Sequence, residues 1–255
     1  MKHSNDRTTT QPSPPTPLAL VLRACGPGMA LAACGALVFS WVGGELDRAL
    51  FEAWGWTLSV AGCAWVVAMV VGVLMGTLRT LPTVRASNRI FIQLANAWVE
   101  LFRNIPVLVQ IFLWYFVVPK VFPAMKQVPG FALVVLGLGF FTSARIAEQV
   151  RAGIQALPRG QRYAAMAMGL TTFQSYRYVL WPMAFRMIWP PLTSESMNLL
   201  KNSSVAFAVS IAELTMYAMQ VQEETSRGIE VYLVVTAIYA LSAFTVNRLM
   251  AFVET

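Results

Sequence analysis

An all-α integral membrane protein with about six transmembrane helices is the fold class this sequence predicts, and three observations predict it. Of 255 residues, 57% are apolar and only 12% are charged, a balance that soluble globular domains do not have. The stretch from Ala53 to Leu78 carries no charged side chain, and about 20 mostly apolar helical residues suffice to cross a hydrocarbon core ~30 Å thick. The net charge of +7 comes from arginines in discrete groups between apolar runs. Membrane topology explains that pattern better than a single basic face for nucleic acid.

Residues 1–17 are rich in Thr and Pro, carry Lys2 and Arg7 and offer almost nothing to bury, which predicts a disordered cytoplasmic tail. The Pro-rich start, Arg23 and the length of the apolar run behind it argue against a cleaved secretory signal. Residues 24–44 are long enough for an additional N-terminal transmembrane helix, although Gly26, Pro27 and Gly28 disfavour its first turn. The next span is 53–78. A link with Arg79, Arg85 and Arg89 then leads into 90–119. That segment is longer than one perpendicular crossing, so a tilted or partly interfacial helix is expected, ended by Pro119 and Pro123. Glu100 and Arg103 are expected to form a structural ion pair at its inner end. Further spans are expected at 130–150, 191–211 and 231–252.

Orientation follows from basic residues in short loops. Arg151 to Arg186 contains five arginines and no acidic residue, the strongest inside signal in the chain. Counting spans from that segment puts both termini and the 79–89 link in the cytoplasm, and the acidic stretches Glu45 to Glu52 and Glu213 to Glu230 outside. Lys120 and Lys126 fall outside as a weak exception. Cys25, Cys34 and Cys63 lie in apolar stretches without CxxC spacing, and His3 is the one histidine, so neither a metal site nor a disulfide framework is expected.

Residues 156–182, ALPRGQRYAAMAMGLTTFQSYRYVLWP, are too polar to span and too patterned for a loose loop. Pro158 and Gly160 open a short helix, Gly169 breaks it, Thr171 or Thr172 can cap a second, and Pro182 is expected to stop that one. The resulting knob offers Ala164, Ala165 and Ala167 for close approach, with Arg159, Arg162 and Arg177 around them. Residue properties alone leave two readings open: a knob that docks in a groove of another protein, and an amphipathic hairpin on anionic lipid.

The spacing of Ala164, Ala165, Gly169, Leu180 and Pro182 resembles the EAA motif of bacterial ABC-importer permeases, in which this segment is the coupling helix that docks on the nucleotide-binding subunit. The motif's Glu is Tyr163 here, which leaves Arg159 and Arg162 to supply other contacts. The resemblance covers about Trp54 to Val253, so that 53–253 reads as a five-helix permease core. ELFRNIPVLVQIFLWYFVVP (100–119), EQVRAGIQALPRGQ (148–161) and PPLTSESMNLLKNSSVAF (190–207) are similar to the polar amino-acid branch, and within it to the glutamate/aspartate permease subunits. The family implies a bacterial inner-membrane transport subunit, not an enzyme. It also implies cytoplasmic ATPase partners that bind the ATP, a second permease subunit, homologous or identical, and a periplasmic amino-acid-binding protein. Consistent with this, no GxxxxGK[ST] phosphate loop occurs in the chain.

Ionisable side chains inside spans are functional candidates by default. Arg145 stands three residues before Glu148, so the two share a helix face and can form a structural pair. The resemblance supplies the other reading: many relatives carry an aromatic residue at this position, and a cation there suits a dicarboxylic amino acid, which Arg can hold through two hydrogen bonds. Lys201, Asn202 and Ser203 interrupt the 191–211 span at its middle. Broken helices at pore depth carry transporter sites, although Lys201 can also simply snorkel. Met166, Met168, Trp181 and Trp189 read as packing or interface anchors. Two rival functions are importers of other polar amino acids such as glutamine, and an ion-coupled secondary carrier, for which Glu100, Glu148 and Glu195 are the carboxylates near membrane depth.

Overall fold

The computed structural model describes residues 47–83 and 86–254. The expected tail 1–17 and the first expected span 24–44 lie outside the described residues. The described chain is helical throughout: α1 (Asp47–Leu78), α2 (Ala86–Asn104), α3 (Val107–Phe112), α4 (Val118–Val121), α5 (Gly130–Ala156), α6 (Arg159–Ala167), α7 (Thr172–Ser175), α8 (Trp181–Asn202), α9 (Leu214–Thr225) and α10 (Gly228–Glu254). Three helices, α1, α5 and α10, are long and apolar enough to cross a membrane. The number among the described residues rises to five if the two bent pairs, 86–121 and 172–225, each count as one span.

Helix α5 is the central element, with 61% of its most apolar window buried against 28% for α1 and 22% for α10. Val60, Ala61, Ala64 and Ala68 form a buried stripe on α1, the spacing of one helical face, and their small size lets α5 approach closely. Gly72 lies against Ile146 and Gly76 against Val150, so α1 and α5 run parallel with glycines at the seam, as in small-xxx-small membrane packing. The outward face of α1 is apolar at Val66, Val70 and Leu74.

Tryptophan N–H groups, which need a partner when buried, tie the helices together. Trp65 donates to Ser196 (2.8 Å), Trp54 to Ser242 (3.0 Å), Trp98 to Ser143 (3.1 Å) and Trp189 to the Met250 carbonyl (2.9 Å). Trp189 is thus a packing residue between α8 and α10.

Proline governs the departures from the expected spans. The expected 90–119 helix is broken: the segments 86–104 and 107–121 meet at 107°. Pro106 cannot donate to the ladder, and it biases Ile105 away from helical geometry. The buried Gln110 amide bonds the carbonyls of Phe102 (2.7 Å) and Ile105 (2.9 Å), supplying donors that the break removed. Pro119 and Pro182 do not end their helices. Each follows a π turn, Leu113–Val117 and Tyr176–Leu180, whose wider winding accommodates a residue without an N–H. The helix expected at 191–211 therefore begins as α8 at Trp181, runs through Pro190 and Pro191, and gives way at Asn202 to a 3-10 segment, Ser203–Val209.

The 213–230 stretch is not an acidic loop, because α9 occupies most of it. Glu213 is fully buried and caps α9 by accepting from Thr215 N (2.9 Å) and Met216 N (3.0 Å), while the Tyr239 hydroxyl donates to it at 2.6 Å. A capping carboxylate at a helix N-terminus satisfies orphan donors and complements the dipole.

Candidate functional site

Helices α5 and α8 run antiparallel, since Gly153 lies against Ile188 while Arg145, earlier on α5, meets Glu195, later on α8. The Arg145 guanidinium grips Glu195 with two bonds, Nε to Oε2 at 2.7 Å and Nη2 to Oε1 at 3.0 Å. The Glu195 side chain is 7% exposed and that of Arg145 42%. The carboxylate is therefore enclosed, whereas part of a five-donor fork faces open space. The expected intrahelical partner Glu148 is not used. Two helices converge on Arg145, and an interhelical fork gives better geometry than a pair along one helix.

Asn202 stands seven residues beyond Glu195, two turns along the same face of α8 and about 10 Å along its axis. It is half-buried at the point where the α-helix becomes 3-10, and Lys201 is exposed. Ser203 is buried, with its hydroxyl donating to the Leu200 carbonyl at 2.7 Å, so it keeps only acceptor capacity for a ligand. Ser204 likewise donates to the Lys201 carbonyl. The candidates thus fall into two groups, Arg145 with Glu195 and the Lys201–Ser203 step, joined by α8 but by no direct hydrogen bond. Helix α3 packs on the 3-10 segment, which brings the Pro106 break to the same place.

Glu148 belongs to a second cluster. Arg79 Nη1 reaches Glu148 Oε1 at 2.7 Å, and Arg79 Nε reaches Asn96 Oδ1 at 2.7 Å. The expected Glu100–Arg103 pair does not form. Both residues are exposed, and Arg103 Nη1 reaches across to α5 and lies 3.5 Å from Glu148. The Arg79 side chain is only 7% exposed, so the end of α1, α2 and α5 are held by one enclosed cation.

In the 156–182 segment Gly169 has φ +78°, a left-handed corner that a side chain would strain. Thr171, not Thr172, caps the second helix through a reciprocal capping box with Gln174. Tyr163, Met166, Met168 and Phe173 project from the knob at 52–74% exposure. Two expected contact residues are less exposed. Ala165 is fully buried, and Arg162 lies over the Tyr176 ring, 5.8 Å from its centroid. Ala164 and Arg159 remain exposed, and Arg159, Arg162 and Tyr163 edge a cleft of about 550 Å³ beside the end of α5.

From the sequence Glu195 reads only as a carboxylate near membrane depth and Glu148 as that or as a partner for Arg145, while Tyr176, Thr80 and Gln110 do not stand out. Gln110 interrupts an apolar run and Arg79 ends one, whereas Glu195 stands in the polar stretch Thr193 to Ser196. Their partners lie on other helices, out of reach of local spacing.

A bundle of apolar helices with a buried ionic fork, a broken helix and a protruding basic knob defines a membrane-embedded transport subunit. The family model described as "Binding-protein-dependent transport system inner membrane component" matches residues 68–255, and the chain belongs to that family, the permease subunits of ABC importers. Such subunits are transport components of the inner membrane and not enzymes, and the ATPase is a separate subunit. The chain is 42% identical over 208 residues to the glutamate/aspartate import permease protein GltJ of Escherichia coli, covering 78% of this chain and 82% of that protein. It is 32% identical to the probable amino-acid ABC transporter permease protein PatM of Vibrio harveyi, covering 76% and 85%. Among solved structures, the crystal structure of an amino acid ABC transporter with histidines superposes with a TM-score of 0.71 at 29% identity, covering 85% of this chain and 96% of that one.

Proposed function

We propose that this chain is the permease subunit of an importer for acidic amino acids, glutamate and aspartate. It pairs with a second, homologous permease, receives substrate from a periplasmic binding protein, and is driven by ATPases that dock on residues 156–182. The observation that carries the substrate reading is the half-exposed Arg145 fork. Glu195 holds the guanidinium in place through two of its five N–H donors, and the exposed remainder can donate charge-assisted hydrogen bonds to a substrate carboxylate. The likeness to GltJ supports the same substrate. Asn202 and Lys201 lie about two turns further along α8 than Glu195, and this reading assigns them to the amino and second carboxyl groups of such a substrate. The five arginines of 151–186, read as the inside face, support a cytoplasmic location for both termini.

Uptake into proteoliposomes containing the permease pair, ATPase and binding protein tests this reading. Labelled glutamate should accumulate only with internal ATP and should be displaced by aspartate. Preferential displacement by glutamine would move the substrate to the amide, and accumulation driven by an ion gradient without ATP would replace the importer with a carrier.

A further inference from the structure

The end of α1 leaves backbone carbonyls without intrahelical donors, as every helix end does. Two residues past that end, in the turn that follows Leu78, Thr80 O is closed off by a residue from the far side of the coupling segment. The Tyr176 hydroxyl donates to Thr80 O at 2.5 Å and lies 3.1 Å from Thr80 Oγ1. Both residues are buried. Burial pushes the Tyr176 hydroxyl above its ordinary range, so it stays protonated and remains the donor. From the other side Arg162 of α6 stacks on the same ring and donates to the hydroxyl oxygen at 3.4 Å, which also sets a cation at the negative end of α1. The residue next to Thr80 is Arg79, whose bonds to Asn96 and Glu148 hold α2 and α5. A continuous chain of polar contacts therefore runs from α6 through Tyr176 to the three-helix cluster, and α2 leads from that cluster to the Pro106 break packed near Ser203.

We propose that Tyr176 is the positioning residue that passes displacement of the coupling segment to the end of α1, and through Arg79 to α2 and α5. This rests on the reading of residues 156–182 as the surface that docks on the ATPase. Coupling of this kind requires an element that both sites bias, and the Tyr176–Thr80 contact is the place where the cytoplasmic knob and the bundle share a hydrogen bond.

The test is Tyr176→Phe in the reconstituted four-component transporter. It keeps the ring under Arg162 and removes only the hydroxyl. ATP hydrolysis should persist while amino acid moved per ATP falls by about fivefold or more, the size of a modest coupling energy. A loss of mere packing would lower both rates together and leave that ratio unchanged, and an unchanged ratio overturns the proposal. Should Tyr176→Phe fail to assemble, Arg162→Gln decides in the same assay, a lowered ratio supporting the role and an unchanged one refuting it. Met166→Asp on the exposed knob separates the two layers. It should abolish hydrolysis and uptake together by blocking docking. If it changes neither, the docking reading itself fails, and the Tyr176 role falls with it.

Discussion

Arg145→Ala is expected to abolish uptake and to weaken the fold at the same time, and a second substitution separates the two effects. Removing the guanidinium leaves Glu195 enclosed without its partner. Breaking a buried pair by removing one member costs about 3–5 kcal/mol, and the partial exposure of Arg145 reduces this to roughly 2–3 kcal/mol. Replacing both members, Arg145→Met with Glu195→Met, removes the stranded charge, and such apolar replacements are often neutral or stabilising. Thermal melting of the purified transporter should therefore show a clear drop for the single variant and recovery for the double. Uptake of glutamate should stay lost in both, because the carboxylate-binding fork is absent from both. Glu195→Gln, which leaves the guanidinium and a hydrogen-bonding neighbour, should keep measurable uptake. If the double variant regained transport along with stability, the pair would serve the fold alone and Arg145 would leave the substrate site.

The sequence carried the helical membrane class, the Gly169 corner and the position of the polar step at Lys201–Ser203, because each rests on local information: apolar run length, a glycine after a short helical pattern, and polar residues within an apolar segment. Pairing did not come through. Arg145 with Glu148 was a sound expectation from helix geometry, and it failed because the register of α5 against α8, fixed by contacts such as Gly153 on Ile188, brings a better-shaped partner from fifty residues away. Prolines misled in two directions for one physical cause. Pro106 breaks its helix sharply, whereas Pro119 and Pro182 are absorbed by π turns, and only the packing of the flanking residues decides between those outcomes. Tyr163, which stands in place of a motif Glu, is exposed, whereas Ala165 is buried inside the segment and Arg162 is half-buried against Tyr176.

Glycine substitutions along the α1–α5–α8 seam should separate backbone from side-chain obstruction. A Cβ at Gly76 would lie 2.7 Å from the Ala147 carbonyl oxygen and 2.6 Å from Val150 Cβ. Neither can swing away, since one is main chain and the other sits at the root of its side chain. Replacing a helical glycine by alanine favours the helix by up to about 1 kcal/mol, whereas overpacking costs about 1–3 kcal/mol. At Gly76 the second effect should win, so Gly76→Ala lowers the melting temperature and the yield of folded protein in detergent, and trimming Val150 to alanine does not restore either. Gly153 offers the contrast. Its Cβ would meet Ile188 Cγ1, an atom that Ile188→Ala removes, so Gly153→Ala should cost less in an Ile188→Ala background than in the parent. At Gly62 nothing lies within 4 Å, the propensity gain stands unopposed, and Gly62→Ala should melt no lower than the parent. Equal destabilisation at all three positions would mean that glycine serves helix flexibility here, and would discard the close parallel packing of α1 on α5 as its reason.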